Sequence, residues 1–132
     1  MAKYPGEEGR VPETRTIAMP ADANPNGDIF GGWVLSQMDI AAGMTCTRRA
    51  AGRVATVAIE AMAFHLPVFV GDSVSCFVKI LHVGKTSITV HVETWVERSR
   101  AGDLVKVTEG NFVMVALDEA RQPRPVPPAE SA

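Results

Sequence analysis

The chain has 132 residues, 46% of them hydrophobic and 21% charged, with a formal net charge of -2. That length suits one domain with a modest core, and the charge balance gives no general attraction for nucleic acid. No charge-free stretch reaches the roughly 18 apolar residues of a membrane span, and Met1 to Glu8 has no signal-peptide core, so stable membrane insertion is excluded and a cytoplasmic protein is expected.

Residues 1–12 hold Pro5, Gly6, Gly9 and Pro12 among charges, and residues 118–132 hold Pro123, Pro125, Pro127 and Pro128. Both ends read as flexible tails around a single folded domain spanning 13–117. Glu13 to Met19 predicts a short strand stopped by Pro20, and a turn-rich stretch follows through Gly27. A helix is expected to begin between Ile29 and Gly32, because Trp33 to Cys46 is apolar apart from Asp39 and a few small or polar residues.

Arg53 to Phe64 reads as a strand with two nearly apolar faces. Pro67 to Asp72 interrupts it, and Ser73 to Val83 resumes the alternation. A hairpin turn at Gly84-Lys85 leads into Thr86 to Arg98, where Ile88, Val90, Val92, Thr94 and Val96 oppose Thr89, His91, Glu93, Trp95 and Glu97. One face of that strand is core and the other wet or interfacial. Arg100 to Asp103 predicts another turn, and Leu104 to Leu117 the last strand. This order argues for an α+β fold, one antiparallel sheet packed on a single helix. Because so small a domain buries well under three quarters of its unfolded surface, association between copies is expected.

Gly32, Ser36, Asp39 and Gly43 share one helical stripe, opposite Val34, Met38, Ala41 and Thr45. A carboxylate on an otherwise apolar helix must find hydrogen-bond partners, rise in pKa or face a cleft. Asp39 therefore serves either a functional cleft or a contact with Ser36, Gln37 or backbone that fixes a subunit interface. Gly31 and Gly32 allow close approach to the first N–H groups of the helix, which have no intrahelical acceptor and suit a developing oxyanion. Asp28 is expected to cap the helix start.

Cys46 and Cys76 have no companion spacing for a zinc motif or a disulfide framework and read as buried free thiols. No metal site is expected. His65, His82 and His91 read as surface or interface residues rather than catalytic bases. Gly84-Lys85-Thr86 imitates the end of a phosphate-binding P-loop, but Lys79 stands where its first glycine belongs.

The run Ala21-Asp22-Ala23-Asn24-Pro25-Asn26-Gly27-Asp28-Ile29-Phe30-Gly31-Gly32-Trp33-Val34-Leu35-Ser36-Gln37-Met38-Asp39, followed by Arg53-Val54-Ala55-Thr56-Val57, closely resembles the YciA-type hotdog-fold acyl-CoA thioesterases. The resemblance continues through Pro67 to Asp72, Gly84 to Ser87 and Val92 to Val96, covering most of Ile17 to Pro127. One departure is Phe64-His65-Leu66-Pro67, where the family has Phe-Leu-Arg-Pro; a contact made by the arginine is altered here.

The resemblance implies a long central helix wrapped by an antiparallel sheet of five to six strands, homodimers joined edge to edge, and further assembly as a trimer of dimers. It implies hydrolysis of acyl-CoA to a free carboxylic acid and coenzyme A. Asp39 would be general base or nucleophile, Asn24 would place water or substrate, and the Gly31 and Gly32 amides would polarise the carbonyl. Arg53, Gly84, Lys85, Thr86 and Ser87 become candidate coenzyme A contacts. No cofactor is required, since coenzyme A is part of substrate and product. The alternative is a non-catalytic acyl-CoA-binding hotdog module; a hotdog dehydratase ranks last because neither the helix nor its approach loop contains a histidine.

Overall fold

The computed structural model describes residues 3–98 and 102–129. Five strands form one antiparallel sheet: β1 (Thr14–Ile17), β2 (Val54–Phe64), β3 (Ser73–Val83), β4 (Ser87–Arg98) and β5 (Asp103–Ala116), in the order β1-β3-β4-β5-β2. Among the described residues one α-helix, α1 (Gly31–Ala50), lies on one face, and two short 3-10 turns precede it in the chain. Of the turn expected at 100–103, Arg100 and Ala101 lie outside the described residues.

The helix outruns its apolar segment by a polar last turn. Arg48 and Arg49 sit where cations complement the helix dipole, and Arg48 forks onto Glu13 at 2.8 and 3.0 Å. The chain then reverses through Ala51 in the left-handed region. The buried side of α1 presents Val34, Met38, Ala41, Ala42, Cys46 and Ala50, and the small alanines let the helix settle against the sheet. Facing it are Val74 and Cys76 of β3, Ile88, Val90, Val92 and Val96 of β4, and Phe112, Met114 and Ala116 of β5, all essentially inaccessible. The alternation read in β4 is thus the core face.

Two apolar surfaces find no cover among the described residues. Ile40 and Met44 on α1 are 52% and 47% exposed, although a helix apolar nearly all round predicts burial on most sides. Edge strand β2 exposes Val57 (58%), Ile59 (41%) and Phe64 (56%), and pairs only with β5. The single chain does not bury them because its one sheet covers only one side of the helix and ends at β2.

A bulge in β2 shapes the sheet near that edge. The register slips between Glu60 and Ala63, leaving Ala61 at φ 52 and Met62 without ladder partners. Gly110 lies opposite on β5, and a Cβ there would meet Met62 Cε at 2.7 Å and Met62 Cα at 3.3 Å. Glycine is what admits the bulge.

The terminal segments make specific contacts. Tyr4 stacks edge-on against Phe77 and Trp95, both at 5.4 Å, and Pro5 is buried. Beyond Ala116, Val126 donates its N–H to Lys85 O at 2.8 Å, and Arg124 reaches Ala50 O at 2.7 Å.

Candidate active site

The approach to the helix is a loop held by its own polar groups. Asn24 Oδ1 accepts the N–H groups of Asn26 and Asp28 at 2.9 and 3.1 Å, an Asx turn closed by Gly27 N–H on Asn24 O at 3.0 Å. Gly27 takes φ +89, which a side chain would resist. Ile29 N–H bonds Val68 O at 2.9 Å, tying the loop to the segment before β3. The Asn24 oxygen is thereby committed to the backbone, and only its N–H2 group remains to meet water or substrate.

Asp28 does not cap the helix. The N-cap position falls on Phe30, whose side chain caps nothing, while Asp28 forms a β-bridge with Phe69. The chain spends Asp28 on holding the loop two residues too early for capping.

The first amides of α1 are consequently left open. Trp33 and Val34 donate back to Phe30 O at 3.0 and 3.3 Å, but Gly31 and Gly32 N–H find no acceptor among the described residues. Both glycines are exposed, and a Cβ on Gly32 would meet nothing within 4 Å. The space beside these donors is therefore open to something outside the chain.

Asp39 is half-buried. Its partner is none of the groups expected from the sequence: Ser36 Oγ donates to Trp33 O at 2.7 Å, and Thr56 of β2 donates its hydroxyl to Asp39 Oδ1 at 2.6 Å. Thr56, a partner of the candidate acid, is a contact that sequence reasoning missed. The bond aims the carboxylate toward the open sheet edge and leaves Oδ2 without a partner among the described residues. Burial pushes the Cys46 thiol up to about 11, and likewise raises Cys76, so both cysteines stay protonated and neither competes as a nucleophile.

At the far end of the sheet, Arg53 and Gly84 to Ser87 come together. Leu117 N–H bonds Arg53 O at 2.8 Å, Ala116 N–H bonds Thr86 O at 2.9 Å, and Gly84 N–H bonds Ser87 O at 2.8 Å. Arg53 also lines a cleft of about 460 Å³ with Arg124, Asp118 and Glu119. Gly32 and Asp39 are about 10 Å apart along the helix axis, and the whole helix is about 30 Å long. Within one chain the open amides, the acid and the Arg53 cluster occupy the start, middle and far end of that length.

The sheet face away from α1 carries a polar cluster. Glu109 meets Lys106 Nζ at 2.9 Å, His65 Nε2 at 2.8 Å and His91 Nε2 at 3.3 Å, and Lys106 also reaches Glu93 at 3.5 Å. His91, Glu93 and Glu109 stand close enough to share a cation, but the Lys106 ammonium already supplies the positive charge there. His91 points away from the core, as its register position implies.

The thioesterase superfamily profile matches residues 26–102, which run from the Asx turn through the helix and its acid into the hairpin sheet. The chain belongs to the thioesterase superfamily. Similar superfamily members include the acyl-CoA thioester hydrolase YciA of Salmonella typhimurium, 48% identical over 86% of this chain and 87% of that one. Among solved structures, the hexameric thioesterase of Yersinia pestis superposes with a TM-score of 0.86 at 45% identity, covering 91% of this chain and 98% of the other. A hexameric broad-specificity acyl-coenzyme A thioesterase, solved as an aspartate-to-alanine mutant, gives 0.86 at 44% identity over 89% of this chain and 87% of its own. One long helix on a five-stranded antiparallel sheet is the hotdog fold of this superfamily.

Proposed function

We propose that this thioesterase-superfamily chain hydrolyses acyl-CoA thioesters to a free carboxylic acid and coenzyme A, with Asp39 acting on the thioester carbonyl at a subunit interface. The observation that carries this reading is the Asp39 carboxylate, held through one oxygen by Thr56 with the other oxygen unpartnered among the described residues. The similar proteins named as acyl-CoA thioester hydrolases supply the substrate class, and one of them was solved with an aspartate removed.

The chemistry follows from the groups present. The thioester oxygen lies on the Gly31 and Gly32 amides, whose attraction grows as negative charge develops. Asp39 Oδ2 takes a proton from water as the hydroxide oxygen adds to the carbonyl carbon, or attacks that carbon itself. The tetrahedral oxyanion collapses by breaking the C–S bond, and the thiolate of coenzyme A leaves. In the second route, water then hydrolyses the acyl-aspartate anhydride. Asn24 Nδ2 donates to the water or the carbonyl. The Arg53 and Gly84 to Ser87 cluster offers a cation and backbone groups to the phosphates and pantetheine.

The separation of these groups along α1 makes the site a product of assembly. Pairing of two β2 edges would satisfy their open backbone groups, cover Val57 and Ile59, and bring one chain's amides toward the other's Asp39. Three such dimers would make a hexamer of the kind found in similar proteins. No described helix is long and apolar enough to cross a membrane, and the proposed place of action is the cytoplasm.

The decisive test is Asp39→Ala assayed by thiol release across short, medium, long and aromatic acyl-CoAs. A fall in kcat of at least about a hundredfold, with unchanged assembly in light scattering, is expected for loss of the acid. Full turnover in a correctly assembled variant would remove Asp39 from the mechanism. Binding without turnover by the unaltered protein on every substrate would favour an acyl-CoA-binding module.

A further inference from the structure

A cleft of about 310 Å³ opens beside the first turn of the helix, between α1, the end of β2 and the middle of β5. Ile29, Val34, Phe64 and Leu66 make most of it apolar, Gly31 stands on its wall, and Thr108 also lines it. The volume is that of a small-molecule site. Because Gly31 belongs both to this wall and to the open amides, a carbonyl held there would send its acyl group into the cleft.

Thr108 is 1% exposed. Its hydroxyl makes no hydrogen bond among the described residues, whereas Thr94, its ladder partner, is engaged with Cys76 at 3.5 Å. The only fully sealed side-chain N or O atom without a partner among those residues is Nη1 of Arg98. The Thr108 oxygen is not among such sealed atoms, and Thr108 forms part of the cleft wall. His65, on the rim, commits Nε2 to Glu109 at 2.8 Å. Thr108 is thus the one lining side chain whose polar atom is both buried and unpartnered.

We propose that this cleft is the acyl subsite and that Thr108 sets its specificity, favouring short acyl groups that carry a hydroxyl or keto oxygen over plain chains of the same length. The proposal rests on the acyl-CoA reading above. A plain chain expels water from the Thr108 hydroxyl and gives it nothing in return, and a buried polar group left unpaired discriminates against the ligand that strands it. An oxygen on the chain restores the bond. The apolar wall meanwhile accepts the methylenes of either substrate.

The test compares kcat/KM for butyryl-CoA with 3-hydroxybutyryl-CoA and acetoacetyl-CoA, in the full-length protein and its Thr108 variants. The unaltered protein should favour the oxygenated substrates by roughly three- to tenfold, the range of one neutral hydrogen bond. Thr108→Val keeps the shape and a β-branched strand residue but removes the hydroxyl, and should abolish that ratio; Thr108→Ser should retain it. Thr108→Ala provides a second deletion should the valine variant fail to fold. An unchanged ratio in the folded deletions, or no preference in the unaltered protein, overturns the proposal. Calorimetry with non-hydrolysable thioether analogues of the same pairs applies the same criterion if no substrate turns over, so failure of hydrolysis and failure of the Thr108 assignment are distinguished.

Discussion

Strands β4 and β2 are both rich in aliphatic residues, yet they occupy opposite situations. In β4, Ile88, Val90, Val92 and Val96 are all sealed beneath the helix. In β2, Val57, Ile59 and Phe64 are all more than 40% exposed. The contrast separates apolar surface that folds one chain from apolar surface left for another. A strand in the middle of a sheet has neighbours on both sides and a helix above; an edge strand has one neighbour, and its remaining demand for cover is a statement about assembly.

The contrast breaks most sharply when one aliphatic residue is changed in each strand. Ile88→Ala removes a fully buried side chain and should cost about 2–5 kcal/mol, read as a lower urea midpoint. Val57→Asp lies on open surface, so the isolated fold should change by no more than about 0.5 kcal/mol. Its effect should appear in assembly: light scattering should show a smaller species, and thioesterase activity should fall on the order of a hundredfold if the proposed site is shared between two chains. If Val57→Asp keeps the assembly of the unaltered protein, β2 is not the joining edge.

Much of this difference was hidden from the sequence for a physical reason. The alternation of Ile88 to Val96 is local and directly readable, as is the order of strands around one helix. Nothing local tells whether the apolar faces of β2 are covered by the same chain, because cover is a property of the neighbours. Thr56 was invisible in the same way. It reads as one more β-branched strand residue, and only the packing of β2 beside α1 brings its hydroxyl to Asp39. Asp28 shows the opposite failure: an acid just ahead of a helix signals a cap, but the loop's bridge to Phe69 places it outside the capping position. The tails expected at 1–12 and 118–132 rest on proline and charge alone, and composition could not reveal the contacts of Tyr4 or Val126.

A smaller effect is expected where β2 and β5 meet at the bulge. Gly110→Ala places a methyl against Met62, whose Cε can move aside but whose Cα lies at 3.3 Å and belongs to the backbone. The strain should cost about 1–3 kcal/mol, accompanied by faster hydrogen exchange along β2. Met62→Ala in the same chain should recover part of that loss by removing the flexible half of the clash. Absence of any recovery would locate the strain in the backbone alone.

The outer face of the sheet supplies the smallest and most specific test, because there a polar cluster ties the residue after β2 to β4 and β5. Burial works against the charge on Glu109, but its bonds to Lys106 and His65, with the nearby His91, outweigh that cost and hold the carboxyl below its ordinary 4.5. The folded protein therefore keeps Glu109 ionised at pH values where the unfolded chain begins to take up the proton. The resulting stability is fully present above about pH 4.5 and is lost as pH falls through the lower folded value. Glu109→Gln should consequently be less stable than the unaltered protein at pH 7, by under about 1 kcal/mol for so accessible a group. The gap in urea midpoint should narrow as pH falls through the lowered folded value, below which both chains carry a neutral side chain beside Lys106. A gap that stays undiminished down to the lowest pH at which both chains remain folded would assign the loss to packing at Glu109, leaving the link between His65 and the rest of the sheet independent of its charge.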